Sequence, residues 1–213
     1  MAEKMKKGVF ITFEGPEGSG KSTHSRRLAG DLADSGYEVV HTAEPGDTPL
    51  GKRVRDILLE KDDISLGPVA ELLLFEADRA QHVEEVIKPG LESGKIVICD
   101  RFNTATMAYQ GYGLGMDMEL IRSVDSAATD GVSPDLTILL DLEVETGLSR
   151  ANAFRQADRM EKRDNGFHRR VRNGYLELAA SSGGSIKVVK VREEIQDTYE
   201  LIRKEVYAFI EGY

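Results

Sequence analysis

The sequence predicts an α/β fold of three layers, in which helices cover both faces of a central five-stranded parallel sheet. Short apolar runs recur along the 213 residues, and segments with helical periodicity separate them. Strands that alternate with helices pair in parallel through right-handed crossovers. The chain has no internal repeat, low-complexity tract or linker, so residues 1–213 are predicted to form a single domain.

Five apolar runs have the length and composition of strands buried in a sheet. The predicted strands are 8–13, 37–42, 95–100, 136–142 and 186–191. The third run ends in a carboxylate, Asp100, as expected of a central strand whose carboxyl end meets a ligand.

The segments between these strands show helical periodicity. The predicted helices are 21–35, about 50–59, about 68–88, about 117–129 and 193–210. The third is expected to stop before Pro89 and Gly90, since these residues often follow a helix end. Its expected apolar face consists of Leu72, Leu73, Phe75, Ala80, Val83 and Ile87. The glycine-punctuated segment 110–115 is expected at the ligand edge of the sheet.

Residues 15–22 match the pattern of Gly, four residues, Gly-Lys-Ser that binds nucleotide phosphates. The loop consists of Gly15, Pro16, Glu17, Gly18, Ser19, Gly20, Lys21 and Ser22, and Thr23 follows it. Its backbone N–H groups point inward, Lys21 reaches the outer phosphates and Ser22 offers its hydroxyl to Mg²⁺. A predicted strand precedes the loop and a predicted helix follows it. This context favours phosphate binding over an ordinary glycine-rich turn.

Composition and charge narrow the class of protein. No apolar run is long enough to cross a membrane, and no secretory signal pattern begins the chain. The formal net charge of -9 argues against broad nucleic-acid binding, which requires a basic face. The single cysteine, Cys99, agrees with a reducing compartment, and its place in an apolar strand favours a core role over that of a nucleophile. We therefore predict a cytoplasmic protein.

Charged residues gather where ligands bind, at the carboxyl ends of the predicted strands. Asp100 stands where a protein with a phosphate-binding loop places its magnesium-linked acid, and Arg101 beside it can grip a second phosphate. A helix cap is the alternative for Asp100, and a surface ion pair is the alternative for Arg101. Glu44 belongs to the same edge.

Arginines are concentrated between residues 150 and 172 of this acidic chain. We interpret about 150–163 as a mobile lid in which Arg155 and Arg159 supply positive charge to a transferring phosphoryl group, because the phosphate-binding loop contains no arginine. A solvated helix face is the preferred interpretation for the other arginines. These are Arg163, Arg169, Arg170 and Arg172.

Together these features closely resemble the thymidylate kinase family, bacterial type, whose members are nucleoside monophosphate kinases of the P-loop NTPase fold. The segments that carry the resemblance are 15–23, 44–46, 75–79, 100–102, 108–111, 134–136, 158–161 and 174–178. The resemblance implies transfer of the γ-phosphate of ATP to the 5′-phosphate of dTMP, giving dTDP and ADP for dTTP synthesis. It also implies Mg²⁺ as cofactor and a homodimer.

The resemblance also assigns the acceptor site. It implies that Phe75 stacks on thymine and Arg79 bonds a ring carbonyl, which selects a keto pyrimidine over cytosine. The remaining implied contacts are Thr106 and Gln110 with the base, Tyr109 and Glu17 with the sugar, and Arg55 and Arg101 with the acceptor phosphate. Without the resemblance, core packing for Phe75 and solvated positions for several of these side chains remain open.

Three positions depart from the family pattern, and the mildest change is Phe102 in place of the commoner tyrosine. Ala43 stands where an arginine is common, and Asp47 replaces a glycine in the following turn. Both changes are expected to weaken binding of the acceptor phosphate unless Arg55, Arg101 or a lid arginine compensates. A kinase for another nucleoside monophosphate is an alternative function. A GTP-driven switch is disfavoured, because no Asn-Lys-x-Asp segment occurs.

Overall fold

The computed structural model describes residues 7–59, 65–154 and 158–212. Within these ranges, five parallel strands form one sheet in the order β2-β3-β1-β4-β5. The strands are β1 (Val9–Glu14), β2 (Val39–Ala43), β3 (Ile96–Asp100), β4 (Leu136–Asp141) and β5 (Ile186–Lys190). All five predicted strands are confirmed, and the α/β fold with helices around a parallel sheet is confirmed with them.

Helical segments connect and cover the strands. They are α1 (Lys21–Asp34), α2 (Pro49–Leu59), α3 (Pro68–His82), a π-helical segment (Val83–Ile87), α4 (Lys88–Glu92), α5 (Asn103–Thr106), a second π-helical segment (Met107–Gly113), α6 (Met118–Thr129), α7 (Val144–Phe154), α8 (Asn165–Ser181) and α9 (Ile195–Glu211). Leu28 and Leu32 of α1 are buried against the sheet, as their spacing predicts, and α9 packs into the same core.

The register of the sheet brings three strand ends together. Asp100 is level with Phe13 of β1 and with Ala43 of β2. The segments that follow β1, β2 and β3 therefore meet at one edge of the sheet, where parallel α/β proteins bind ligands.

The long helix after Gly67 differs from its prediction in two ways. It continues through the first π-helical segment into α4, because Pro89 lies in the first turn of α4, where a proline needs no backbone donor. Leu72, Val83 and Ile87 are buried as predicted, but Leu73 is 50% exposed. Ala80 is exposed too. The buried face instead includes charged and polar side chains, namely Glu71, Glu76, Asp78, Arg79 and His82.

The glycine-punctuated segment is not a loop. Most of it belongs to the second π-helical segment, whose glycines allow α8 to pack closely. A Cβ atom on Gly113 would lie 2.6 Å from the Phe167 ring, and one on Gly174 would lie 2.5 Å from the Tyr112 side chain. These glycines therefore serve helix packing.

Two further predictions concern the core and the membrane. Cys99 is fully buried in β3, in agreement with a core role. Among the helices that the structure describes, none is long and apolar enough to span a bilayer.

Candidate active site

A cavity of about 960 Å³ opens at the sheet edge where β1, β2 and β3 end. The predicted site residues that line it are Glu17, Gly18, Ser19, Gly20, Lys21, Ser22, Thr23, Arg55, Phe75, Arg79, Asp100, Arg101, Thr106, Tyr109 and Gln110. Gly15 and Pro16, at the start of the loop, are not among the lining residues, and their carbonyl oxygens accept from Lys21. The lid arginine Arg155 lies outside the described residues.

The phosphate-binding loop has the glycine-dependent backbone that its sequence predicts. Gly15, Gly18 and Gly20 adopt φ angles of 138°, 65° and 90°. A Cβ on Gly18 would lie 2.1 Å from the carbonyl oxygen of Gly147 in α7, and one on Gly147 would lie 2.3 Å from the carbonyl oxygen of Glu17. The loop backbone is thus in direct contact with the helix that leads into the lid segment.

Lys21 is folded back onto its own loop. Its Nζ donates to the carbonyl oxygens of Gly15 at 2.9 Å and Pro16 at 2.8 Å. Burial and the charge of Arg101 lower the pKa of Lys21 to about 8, although Glu17 opposes this shift. A charged acceptor such as a phosphate oxygen would bind this ammonium group more strongly than the two neutral carbonyls do.

Arg101 stands at the centre of the cavity wall in a left-handed conformation, with φ of 67°. Its Nη2 donates to Glu17 Oε1 at 2.7 Å, and the Tyr109 hydroxyl donates to the same oxygen at 2.7 Å. Burial would raise the pKa of Glu17, but Arg101 and Lys21 lower it to about 2. Glu17 is therefore an ionised acceptor held in place by two side chains.

Glu14 stabilises the backbone turn next to Arg101, and the sequence analysis did not identify it. Its Oε1 accepts from the backbone N–H of Phe102 at 2.8 Å and of Ala105 at 3.2 Å. Its Oε2 accepts from the Tyr175 hydroxyl at 2.9 Å. Glu14 fixes the turn that carries Arg101. The sequence feature that could have indicated this role is the position of Glu14 at the end of β1.

Asp100 offers a free acceptor at the loop. Its Oδ1 is buried and has no hydrogen-bond partner among the described residues, and His41 Nε2 lies 3.9 Å away. Helix capping, the alternative for this residue, is not found, since α5 has no side-chain cap.

Arg79 is buried in a cluster of carboxylates. Its Nε donates to Glu44 Oε2 at 3.0 Å, and its Nη1 donates to Glu76 Oε1 and, at 3.0 Å, to Thr106 Oγ1. Asp125 Oδ1 lies 3.6 Å from Nη1. Sequence patterns gave no sign of Glu76 or Asp125 in this role, because helical charges usually face solvent.

The arginines after residue 158 are less solvated than predicted. Arg159 does not line the cavity: its Nε donates to the Leu58 carbonyl oxygen at 2.8 Å, and its Nη2 lies 2.8 Å from Glu71 Oε2. Two of the four arginines assigned to a solvated face are partly buried and bound, so that prediction is wrong for them: Arg163 binds Glu71 and Arg172 binds Asp141. Arg169 and Arg170 are exposed, as predicted, although Arg170 also donates to the Gly113 carbonyl oxygen.

Comparison with known proteins decides the family. The family model described as thymidylate kinase matches residues 13–202. The thymidylate kinase of Halothermothrix orenii is 52% identical over 176 residues, which are 81% of this chain and 84% of that protein. The thymidylate kinase of Geotalea daltonii is 45% identical over 212 residues, covering 96% and 99% of the two chains.

This chain belongs to the thymidylate kinase family. A crystal structure of thymidylate kinase from Ehrlichia chaffeensis agrees, with a TM-score of 0.77, 35% identity and coverage of 93% of this chain and 98% of that one. The chain is therefore an enzyme, an ATP-dependent phosphotransferase that converts dTMP to dTDP.

One departure from the thymidylate kinase pattern has a structural explanation. Asp47 Oδ2 accepts from the Thr42 hydroxyl at 2.8 Å and from the Ala43 backbone N–H at 2.9 Å. Asp47 is not among the residues that line the cavity, whereas Ala43 is. The expected additional carboxylate beside the acceptor phosphate is thus not found, because Asp47 caps its own turn.

The cavity of this thymidylate kinase extends beyond the motifs to a region that sequence patterns did not reveal. It lies between α1, the end of β5 and the start of α9. Its lining residues are His24, Val191, Arg192, Glu193, Ile195 and Thr198. All of these residues except His24 follow β5, so their position after the end of a strand was the sequence feature that could have indicated them.

Proposed function

We propose that ATP and dTMP bind together in this cavity and that the phosphoryl group passes between them in line. The observation that supports this most directly is the continuity of the cavity, which runs from the phosphate-binding loop to Phe75 and Gln110. Lys21 and Arg101 line it as well. The acceptor phosphate is already an anionic nucleophile, so catalysis consists of positioning and charge stabilisation.

The acceptor base is assigned to the α3 side. Phe75 stacks on thymine, Arg79 donates to a ring carbonyl, and Thr106 and Gln110 complete the contacts. Phe75 is partly exposed and lines the cavity, which supports a ligand role over core packing.

The deoxyribose and acceptor phosphate are assigned to the centre. Tyr109 excludes a 2′-hydroxyl, and the ionised Glu17 accepts from the 3′-hydroxyl. Arg101 and Arg55 hold the phosphate. Arg55 lines the cavity and is oriented by a bond from its Nη1 to the Pro45 carbonyl oxygen at 2.7 Å.

The donor phosphates are assigned to residues 15–23, with Lys21 on the outer phosphates. The buried, unpartnered Asp100 Oδ1 and the hydroxyl of Ser22 on the same cavity wall fit a Mg²⁺ ion. Mg²⁺ neutralises developing phosphate charge when bound. Arg155 and Arg159 are proposed to supply further positive charge from the lid. The adenine is assigned to the region around Arg192 and Thr198.

We assign residues 1–213 to one domain of a cytoplasmic homodimer that binds no nucleic acid. Large apolar side chains are exposed on α2, α3 and α6, which supports a subunit interface there. They are Leu50, Ile57, Val69, Leu73 and Leu120.

A coupled assay of ADP release tests the proposal. With Mg²⁺ and ATP present, purified protein should consume dTMP much faster than dCMP or dGMP. Initial rates at several fixed concentrations of each substrate should give intersecting reciprocal plots, because both substrates occupy the site at once. Parallel plots would contradict simultaneous binding.

A further inference from the structure

Glu71 is wholly buried in the first turn of α3 and does not line the cavity. Its Oε1 accepts from Gln110 Nε2 at 2.8 Å. Its Oε2 accepts from Arg163 Nη2 at 2.9 Å and lies 2.8 Å from Arg159 Nη2. One buried carboxylate therefore joins the helix of the acceptor site, the second π-helical segment and the turn after residue 158.

The chemistry of this contact fixes the orientation of an amide. An ionised carboxylate accepts hydrogen bonds and donates none, so Gln110 must turn its NH₂ group toward Glu71. Its carbonyl oxygen is then the group left to accept from a ligand. Thymine has an N–H donor at ring position 3, whereas cytosine has an acceptor there. The orientation imposed by Glu71 thus favours thymine.

The two arginines hold the Glu71 carboxylate in place. A buried carboxylate requires compensating charge, and two guanidinium groups provide it. Both arginines are fixed elsewhere as well: Arg159 donates to the Leu58 carbonyl oxygen, and the guanidinium of Arg163 lies 4.8 Å from the centre of the Phe167 ring. The position of Glu71 therefore depends on the docking of this turn.

We propose that Glu71 is a positioning residue for base selection, which holds the Gln110 amide in the orientation that reads thymine and links it to the turn after residue 158. The proposal rests on the assignment of Gln110 to the acceptor base. A purely structural ion pair is the competing explanation. It predicts loss of stability without any change in base preference.

The substitution Glu71→Gln separates these explanations. A glutamine at this position can donate to the Gln110 carbonyl oxygen, so the Gln110 amide is free to turn over. We expect the KM for dTMP to rise about tenfold and the ratio of kcat/KM for dTMP to that for dCMP to fall about tenfold, the effect of one misdirected hydrogen bond. The KM for ATP should change less than about twofold.

Matched variants identify the route of the effect. Glu145→Gln removes the exposed ion pair with Arg169 and should leave the base preference unchanged. Arg163→Met should raise the KM for dTMP although Arg163 does not line the cavity. In a Gln110→Ala background, Glu71→Gln should no longer alter the base preference. If Glu71→Gln does not fold, Glu71→Asp keeps the charge but retracts from Gln110, and it should lower the same ratio.

Each outcome has a distinct meaning. An unchanged dTMP to dCMP ratio in folded Glu71→Gln overturns the role of Glu71, and so does a loss confined to kcat or to melting temperature. If the wild-type enzyme used dTMP but Gln110→Ala kept the full preference for it, the assignment of Gln110 would fail instead. Failure of the wild-type enzyme to prefer dTMP would overturn the proposed base site as a whole.

Discussion

Arg101 combines an unfavourable backbone conformation with a central position in the site. A non-glycine residue at φ of 67° is strained by roughly 1–2 kcal/mol, so the surroundings must hold it there. Its backbone N–H donates to the Phe13 carbonyl oxygen at 2.9 Å, and its guanidinium binds Glu17. These contacts hold the Arg101 guanidinium in position before substrate binds.

Replacing Arg101 by alanine should therefore damage acceptor binding selectively. We expect the KM for dTMP in Arg101→Ala to rise at least about tenfold, since a charge-assisted hydrogen bond contributes roughly 1.5–3 kcal/mol. The KM for ATP should stay within about twofold. Steady-state kinetics with each substrate varied, with the exposed-arginine variant Arg203→Ala as control, measures both. Equal losses for the two substrates would refute the assignment.

Asp78 is a buried carboxyl group that lowers stability at neutral pH. Its Oδ1 accepts from the Gly46 backbone N–H at 3.1 Å, and its Oδ2 has no partner among the described residues. Burial, together with the charge of Glu44, raises the pKa of Asp78 to about 7. The pKa of Asp78 is higher in the folded state than in the unfolded state. Its favourable contribution to the free energy of unfolding is therefore complete below about pH 4 and is lost as pH rises toward 7.

The variant Asp78→Asn should abolish this pH dependence, since asparagine keeps the acceptor for Gly46 and carries no charge. The free energy of unfolding of the variant minus that of wild type should be larger at pH 7.5 than at pH 5 by on the order of 2 kcal/mol. Urea unfolding at both pH values measures the difference. The exposed variant Asp34→Asn should show no such gain, and equal pH profiles for Asp78→Asn and wild type would contradict the expectation.

At the level of elements, the contact between α8 and the second π-helical segment depends on glycines, which leave room for the facing side chains. Gly174 faces the Tyr112 side chain, and Gly113 faces Phe167 and Val171. Tyr175 on the same helix reaches Glu14, which supports the turn of Arg101. Close packing of α8 therefore positions part of the active site.

Gly174→Ala should loosen this contact. A Cβ at residue 174 would lie 2.5 Å from Tyr112 Cγ and has no room there. We therefore expect a loss of roughly 1–3 kcal/mol in the free energy of unfolding. Gly30→Ala is the matched control, because nothing lies within 4 Å of its Cβ and alanine favours the helix by about 0.5–1 kcal/mol. Denaturant unfolding of both should show opposite signs. A stabilised Gly174→Ala would contradict the packing explanation.

The strands and the phosphate-binding loop could be predicted because each depends on neighbouring residues. An apolar run such as 96–100 needs little context, and the loop pattern fixes its own backbone. The burial of Glu71 and Asp78 could not be predicted, since their hydrogen-bond partners come from distant segments. Likewise, nothing in the sequence around Gly113 indicated that Phe167 and Val171 of α8 would pack against it.

For the whole molecule, exposed apolar side chains on α2, α3 and α6 are the basis for the proposed dimer. Leu73→Glu places a charge in that surface and should convert a dimer into a monomer, because a charge buried at an interface is costly. Sedimentation velocity at several concentrations measures the change. Leu201→Glu on α9, outside the surface, should remain dimeric. A wild-type monomer at all concentrations would refute the dimer.

The contact between Gly18 and Gly147 has a consequence for how this enzyme can vary. Two main-chain segments touch there with no side chain between them, and each glycine is bounded by the carbonyl oxygen of the opposite segment. Neither position accepts even a methyl group, so substitutions cannot adjust the spacing in small steps. Any side chain at either position therefore requires α7 to move away from the phosphate-binding loop.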